Sequence, residues 1–179
     1  MKIRELLAET SRPNKSFEND KIVKYSRSTL VYHTTSENAA KNILKDGFKT
    51  GRLLWIAEKR GAVYFSDYDV NYGLYARNEE GDTYHGQSLG MVAVDISGIP
   101  LLNLSYRENR NFVFYDQYGV YVTHGDLDKI PEFQQGKVAG AISYLQDGKI
   151  YEVCLPVDIA NRLLKKTIQP AIPEIPNIN

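Results

Sequence analysis

The sequence predicts an α+β fold in which two packed, mostly antiparallel sheets enclose a cleft and a few helices flank them. Three observations favour this class: a strong helical pattern early in the chain, short strand-like runs along its length, and an Asp-Gly turn between two late strands. A chain of 179 residues suits one domain with a real hydrophobic core. We therefore expect one α+β domain whose helices are concentrated near its start.

The composition is typical of a soluble globular protein, with 42% hydrophobic and 25% charged residues and a formal net charge of zero. The balanced charge argues against bulk electrostatic attraction to nucleic acid or to an anionic membrane. The single cysteine, Cys154, lies in an apolar run, so we expect a small core residue and neither a disulfide nor a metal site. Because no run is long enough to cross a membrane and the N-terminus does not resemble a signal peptide, we expect a cytoplasmic protein.

Both ends of the chain differ in pattern from its middle. Residues 2–10 have the spacing of a short amphipathic helix, and the polar stretch that follows is broken by Pro13. The last residues contain three prolines and no periodicity, which is typical of an extended or disordered tail. We therefore predict an N-terminal helix and arm over residues 1–28, one domain over 29–168, and a Pro-rich tail over 169–179.

The clearest helix follows a strand predicted over residues 29–33. Thr34 and Glu37 fit the capping box, in which a Ser or Thr precedes a Glu by three residues, although Thr35 or Ser36 can also be the cap. Gly47 stands where a left-handed residue ends a helix, and the next residue, Phe48, can fold back onto the last turn. Four apolar residues form one face of this helix: Ala39, Ala40, Ile43 and Leu44.

The middle of the chain alternates strands with one further helix. A short apolar run at 53–56 precedes a strand predicted over 62–66, and residues 67–76 have the apolar and aromatic spacing of a helix. The polar, Gly-containing residues 78–88 predict a loop. The continuous apolar run 90–96 predicts a third strand in a central position, because only a strand that is covered on both faces is apolar throughout.

The last third of the chain predicts two hairpins and a short helix. Strand-like residues 111–115 and 119–123 flank Asp-Gln-Tyr, which suits a hairpin turn. Residues 138–145 and 149–155 flank Gln-Asp-Gly, a stronger signal because Asp-Gly favours the turns that match strand twist. Residues 158–166 predict a last helix with a basic C-terminal end.

Two segments in the first half carry a family signature. The run LVYHTTSENAAKNILKDGFKTG, followed by GAVYFSD, resembles the first two motifs of ADP-ribosyltransferases of the diphtheria-toxin and poly(ADP-ribose) polymerase class. In that class a strand ends in Tyr-His-Gly-Thr/Ser, a helix ends near Gly-Phe, and a second strand reads Gly-x-Tyr-Phe-Ala/Ser. The resemblance covers residues 30–76 and implies an ADP-ribosyltransferase-like fold with an NAD cleft.

The resemblance implies an NAD site with three main residues. His33 would hydrogen-bond a ribose hydroxyl, and the backbone groups of Thr34 would fix the nicotinamide amide. The family usually has Gly at the position of Thr34, so the threonine side chain adds bulk here. Tyr64 would stack on the nicotinamide ring, a contact worth about 0.5–1.5 kcal/mol beyond burial.

Further contacts to NAD are implied around the helix that follows Tyr64. A second aromatic ring from this helix usually closes the stack on the nicotinamide. Tyr75 fits the family's position, and Tyr72 is the alternative. Ser66 and Asp67 are candidate polar neighbours of the same ligand.

A late carboxylate completes the implied site. Cleavage of the nicotinamide–ribose bond develops positive charge on the ribose, and a carboxylate near the 2′-hydroxyl stabilises that charge. The family has a Glu at the start of a late strand, and Glu152 opens an apolar strand pattern here. Asp126, in a Thr-His-Gly-Asp segment, is the alternative carboxylate. Position 150 is Ile, so the Gln-x-Glu pair of arginine-modifying toxins is missing.

These residues predict an NAD-dependent mono-ADP-ribosyltransferase that takes NAD as a substrate and acts on an unknown protein or nucleic-acid acceptor. NAD glycohydrolase activity would accompany it when no acceptor is present. The small size suits a toxin-like protein, a phage protein or a bacterial effector. One alternative is a catalytically degenerate module for nucleotide or protein binding, such as a virion component. Another is an RNA 2′-phosphotransferase, which the lack of a His-x-His element beside Tyr64 disfavours.

The surroundings of Glu152 separate these functions. A glutamate near His33 and Tyr64 favours the transferase, whereas a glutamate that points into solvent favours the degenerate module. A phosphotransferase would need several arginines along the same cleft, with no acidic residue among them.

Overall fold

The computed structural model of the protein describes residues 19–49, 62–75, 83–84, 87–116, 118–123 and 127–165. The strands are β1 (Ile22–Val23), β2 (Leu30–Ser36), β3 (Ala62–Phe65), β4 (Thr83–Tyr84), β5 (Gln87–Asp95), β6 (Leu101–Asn103), β7 (Val113–Tyr115), β8 (Tyr121–Thr123), β9 (Gly140–Tyr144) and β10 (Ile150–Pro156). The α-helices are α1 (Glu37–Asp46), α2 (Tyr68–Tyr75), α3 (Pro131–Gln134) and α4 (Val157–Leu163). Two 3-10 helices span Arg107–Phe112 and Leu127–Lys129.

The strands form two main sheets and one separate hairpin. The larger sheet has the order β1-β6-β9-β10-β3, the smaller sheet has the order β2-β5-β4, and β7 pairs with β8. Among these pairs only β6 and β9 run parallel. The predicted α+β class with mostly antiparallel strands is therefore confirmed, and so is the central position of the apolar strand β5.

One core joins the two sheets. Val31 and Val94 of the smaller sheet pack in the same cluster as Phe65, Ile142 and Leu155 of the larger sheet. A second cluster lies on the opposite face of the larger sheet, and its buried members are Leu102, Leu104, Leu127, Ile130, Val138, Ala141 and Cys154. We call this opposite side of the larger sheet the Cys154 face. The prediction of Cys154 as a small core residue is confirmed.

Helix α1 begins and ends at signals present in the sequence. Strand β2 continues to Ser36, so the cap is Ser36 rather than Thr34, and its Oγ accepts a hydrogen bond from the Ala39 N–H at 3.2 Å. At the other end, Gly47 has φ +83° and its N–H donates to the Ile43 carbonyl at 2.8 Å. Glycine adopts this left-handed backbone without the strain that a Cβ would cause.

Asn161 of helix α4 holds Phe48, the second residue after the end of α1. The Asn161 Oδ1 accepts a hydrogen bond from the Phe48 N–H at 2.6 Å, and its Nδ2 donates to the Phe48 carbonyl at 3.0 Å. Phe48 is thereby fixed in the main core, where its ring contacts those of His33 and Phe65. One amide side chain thus satisfies both backbone groups of Phe48.

Replacing Asn161 with Ala is expected to lower the free energy of unfolding by about 1–3 kcal/mol, because it leaves two backbone groups without their partner. Asn161→Asp keeps the acceptor but turns a carboxylate oxygen toward the Phe48 carbonyl, so it should destabilise the protein as well. Urea denaturation of the three proteins measures both values. An alanine variant as stable as the wild type would contradict the importance of this contact.

The predicted late hairpins are both present. β9 and β10 are joined through a turn in which Gly148 has φ +82°. In the earlier hairpin, β7 begins at Val113 rather than at 111, because a 3-10 helix extends to Phe112. The last helix, α4, begins at Val157, directly after β10.

Part of the predicted N-terminal arm belongs to the folded core. Strand β1 pairs with β6, and Tyr25 is buried with its hydroxyl 2.9 Å from that of Tyr144. No helix within the described ranges is long and apolar enough to cross a membrane. The predicted helix at 2–10, the apolar run at 53–56 and the tail at 169–179 lie outside the described residues.

Candidate functional site

The two sheets meet where β2 runs beside the end of β3. Tyr32 donates its N–H to the Ser66 carbonyl at 2.8 Å and accepts the Ser66 N–H at 2.9 Å. One residue further on, the His33 Nδ1 lies 2.8 Å from the Tyr64 carbonyl oxygen. His33 therefore links the strand that carries it to the strand that carries Tyr64.

The His33 imidazole is neutral and has a defined tautomer. Burial lowers the pKa of His33, and the hydrogen bond to the Tyr64 carbonyl only partly offsets this effect. Because a carbonyl oxygen can only accept, Nδ1 carries the proton and Nε2 is left as an acceptor. The ring packs edge-on against Phe48 and Phe65, with centroids 5.6 and 5.9 Å away.

Thr34 directs its side chain and its backbone to different places. The Thr34 hydroxyl donates to the Oδ1 of Asn71 in α2. Backbone groups alternate in direction along a strand, and those of Tyr32 point at Ser66, away from β5. The N–H and C=O of Thr34, two residues later, therefore also point away from β5.

Asn71 is a buried polar residue of α2 outside the predicted set of site residues. Its Nδ2 donates to the Tyr32 carbonyl at 2.7 Å and to the Ser66 Oγ at 2.8 Å, while its Oδ1 accepts from Thr34. The side chains of Thr34 and Ser66 are thus engaged by α2. A polar amide within an otherwise largely apolar and aromatic helix was the sequence signal for such a role.

Tyr64 and Glu152 lie on the same face of the larger sheet. Tyr64 of β3 pairs with Cys154 of β10, and its ring packs against the cluster on the Cys154 face. Glu152 is two residues before Cys154 on β10, so its side chain points to that same face. Burial raises the pKa of Tyr64 strongly, and the neighbouring Cys154 and Glu152 raise it further. The ring of Phe65, and with it that of His33, lies on the other face of β3.

Glu152 is a half-buried carboxyl group with one backbone donor. Its Oε1 accepts the Thr123 N–H of β8 at 3.1 Å. Burial raises the pKa of Glu152 to about 8; the Thr123 N–H acts in the opposite direction, and the nearby Asp116 adds to the rise. Sequence could not identify Thr123, because a backbone N–H acts here and the side chain carries no signal.

Asp67, a predicted polar neighbour of NAD, is hydrogen-bonded to the start of β10. Its Oδ2 accepts the Ile150 N–H at 2.7 Å, and its own N–H donates to the Ile150 carbonyl at 3.0 Å. Burial raises the pKa of Asp67 to about 6. Since Ile150 is two residues before Glu152, Asp67 helps to set the position of that glutamate.

Several other predicted residues cannot be placed in the site. Tyr72 and Tyr75 belong to α2, but their side chains lie outside the described residues, as do Asp126 and its neighbour His124. The first tyrosine of α2, Tyr68, is described, and its ring meets that of Tyr32 edge-on at 5.4 Å. No group of three potential metal ligands occurs within the described part of the chain.

A separate surface groove of about 480 Å³ lies between α3 and α4, and its lining includes Phe133, Pro156 and Arg162. None of the candidate NAD-binding residues lines this groove, so the groove is not part of the candidate NAD site. No protein-family model matches the chain, and no curated protein matches it significantly.

Proposed function

We propose that the protein is a cytoplasmic, NAD-dependent mono-ADP-ribosyltransferase with the ADP-ribosyltransferase-like fold, acting on a protein or nucleic-acid acceptor. The observation that best supports this proposal is that Tyr64 and Glu152 lie as neighbours on the Cys154 face, while the His33 ring, on the other face of β3, is hydrogen-bonded to the Tyr64 carbonyl. These three residues are far apart in the sequence, and the family resemblance assigns them to NAD binding and cleavage.

Binding of the nicotinamide amide would use the backbone of Thr34. Its N–H and C=O both point away from β5, and together they are the donor and acceptor pair that a carboxamide needs. The threonine side chain, bulkier than the glycine usual in the family, is turned into a hydrogen bond with Asn71. Its bulk is therefore compatible with an amide held by the backbone.

Orientation of the ribose would use His33. Its neutral ring has Nε2 free of a proton, so this nitrogen can accept a hydrogen bond from a ribose hydroxyl. The bond from Nδ1 to the Tyr64 carbonyl fixes the ring plane, and the edge-on contacts with Phe48 and Phe65 restrict its rotation.

Cleavage would use Glu152, with Tyr64 beside it for the nicotinamide ring. An ionised carboxylate stabilises the positive charge that develops on the ribose. With a pKa of about 8, Glu152 holds its proton in the free protein at neutral pH. The cationic nicotinamide of NAD favours the ionised form, so NAD binding would release this proton. The rate should consequently rise with pH up to about 8.

Nicotinamide release from NAD tests the proposal. Wild-type protein should release nicotinamide, and Glu152→Gln should reduce the rate by roughly 100-fold or more, because the amide cannot supply negative charge to the ribose. The matched control is Glu132→Gln, which removes a partly buried carboxylate that pairs with Lys21 at 3.4 Å. This control should keep the wild-type rate.

Two outcomes would count against the proposal in different ways. Release that persists in Glu152→Gln would remove Glu152 from the mechanism and lead to Asp126. If the wild type releases nothing and NAD does not shift its melting temperature, the free protein does not use NAD at all.

The second candidate function is a nucleotide-binding module without catalysis. The observation that favours it is the burial of Glu152 beside Asp116, which raises the pKa of Glu152 to about 8, since a neutral carboxyl group supplies little electrostatic stabilisation. An NAD-dependent rise in melting temperature without nicotinamide release would identify this function. An RNA 2′-phosphotransferase has less support, because all four arginines in the described part of the chain are exposed: Arg27, Arg107, Arg110 and Arg162.

A further inference from the structure

Ser143 has a fully buried hydroxyl that forms no hydrogen bond. It lies in β9 with 0% of its surface exposed, and its Oγ has no hydrogen-bond partner among the described residues. Buried hydroxyl groups are almost always paired, because leaving one unpaired forfeits its hydration without compensation. The Ser143 hydroxyl is therefore available to a nearby acceptor.

The residue opposite Ser143 is Glu152. The two form a direct cross-strand pair between β9 and β10, next to a register shift between Ile150 and Glu152. Side chains of directly paired residues point to the same face, with Cβ atoms about 4.5–5.5 Å apart. A serine hydroxyl and a glutamate carboxyl group at this separation can meet after a rotation about the side-chain bonds.

Glu152 needs a second donor when it is ionised. The Thr123 N–H serves only Oε1, whereas a carboxylate accepts hydrogen bonds at both oxygens. The described titratable groups around Glu152 include no cation that could act as this donor. Asp116, beside β8, is acidic. Tyr64, Tyr151 and Cys154 are neutral, and the nearby Glu152 raises their pKa values. A neutral hydroxyl on the adjacent strand is well suited to this task.

We propose that Ser143 is a positioning residue whose hydroxyl donates a hydrogen bond to the Glu152 carboxylate once that group has lost its proton. The proton of Glu152 passes to solvent, Ser143 keeps its own, and no covalent bond changes. In the described part of the structure the hydroxyl is unpaired. The catalytic consequence of this contact depends on the proposed function, but the contact itself does not.

Direct titration of Glu152 tests the contact without NAD. The side-chain carboxyl carbon is followed by NMR against pH in the wild type and in Ser143→Ala, with Glu152→Gln to assign the signal. Losing the hydroxyl should raise the pKa of Glu152 by about half a unit to one unit, which is a roughly three- to tenfold smaller acid dissociation constant. An unchanged titration would overturn the proposal.

A double-mutant cycle separates this role from a purely structural one. If Ser143 pairs with ionised Glu152, Ser143→Ala should lose melting temperature relative to the wild type as the pH rises through about 8. In the Glu152→Gln background the same substitution should have an effect that does not depend on pH. An identical pH dependence in both backgrounds would show that another group is responsible and would overturn the proposal.

Activity adds a readout that distinguishes the two proposals. If the wild type releases nicotinamide, the rising limb of the rate against pH should move to higher pH in Ser143→Ala, by the same shift as the NMR titration. If the wild type releases none, the proposed function fails, while the NMR titration still decides the role of Ser143.

Discussion

Glu152→Gln should stabilise the protein increasingly as the pH rises from about 4.5 to about 8, although the same substitution should slow nicotinamide release by roughly 100-fold or more. Below pH 4.5 the wild-type carboxyl group is protonated in both the folded and the unfolded chain. Between the two values the unfolded chain loses this proton while the folded protein keeps it, so the wild type loses stability. Glutamine cannot ionise, and its Oε1 can still accept the Thr123 N–H.

The slope of this difference is at most about 1.4 kcal/mol per pH unit, and we expect a gain on the order of 3 kcal/mol at pH 8 after allowing for partial exposure of Glu152. Urea denaturation at four or five pH values measures it. Glu108→Gln, at an exposed position, should change the stability little at any pH and serves as the control. A constant difference between Glu152→Gln and the wild type would contradict the raised pKa.

Gly140→Ala should be the most destabilising single-methyl substitution among the described glycines, with a loss of roughly 3 kcal/mol or more. A Cβ on Gly140 would lie 2.3 Å from the carbonyl oxygen of Cys154 and 2.8 Å from the Leu155 Cδ2. The first of these atoms is backbone in the centre of the larger sheet. It cannot move aside without disturbing the pairing of β9 and β10.

Gly98→Ala is the matched control for this substitution. Gly98 has φ +78°, but no atom lies within 4 Å of the position that a Cβ would occupy. Its substitution should cost only the backbone strain, about 1 kcal/mol. Equal losses at the two positions, measured by urea denaturation, would contradict the steric explanation for Gly140.

Local signals in the sequence were enough to predict most elements. Helix α1 has a capping residue, an apolar face and Gly47, all within a dozen positions, and the β9–β10 hairpin has its Asp-Gly turn. The pairing of β1 with β6 could not be predicted in this way. A two-residue strand has no pattern of its own, and its existence depends on a partner that tertiary packing brings alongside.

The residues of the candidate site come from the family resemblance, whereas their surroundings could be learned only from the structure. The resemblance selected His33, Tyr64 and Glu152, yet strand register decides that Ser143 lies opposite Glu152. Register follows from pairing over long distances, which one sequence does not encode locally. The same limit applies to the Thr123 N–H, whose position depends on how the β7–β8 hairpin docks near β10.

The strand order of the larger sheet also governs when the protein can fold during its synthesis. β3 leaves the ribosome long before β10, the neighbour with which it pairs, has been translated. Until then Val63 and Phe65 have no partner strand, and the anchor that Asn161 gives to Phe48 does not yet exist. A nascent chain that stops before residue 150 contains His33 and Tyr64 but lacks Glu152 and the strand beside Tyr64. Tyr64 and Glu152 can become neighbours only when translation of the domain is nearly complete.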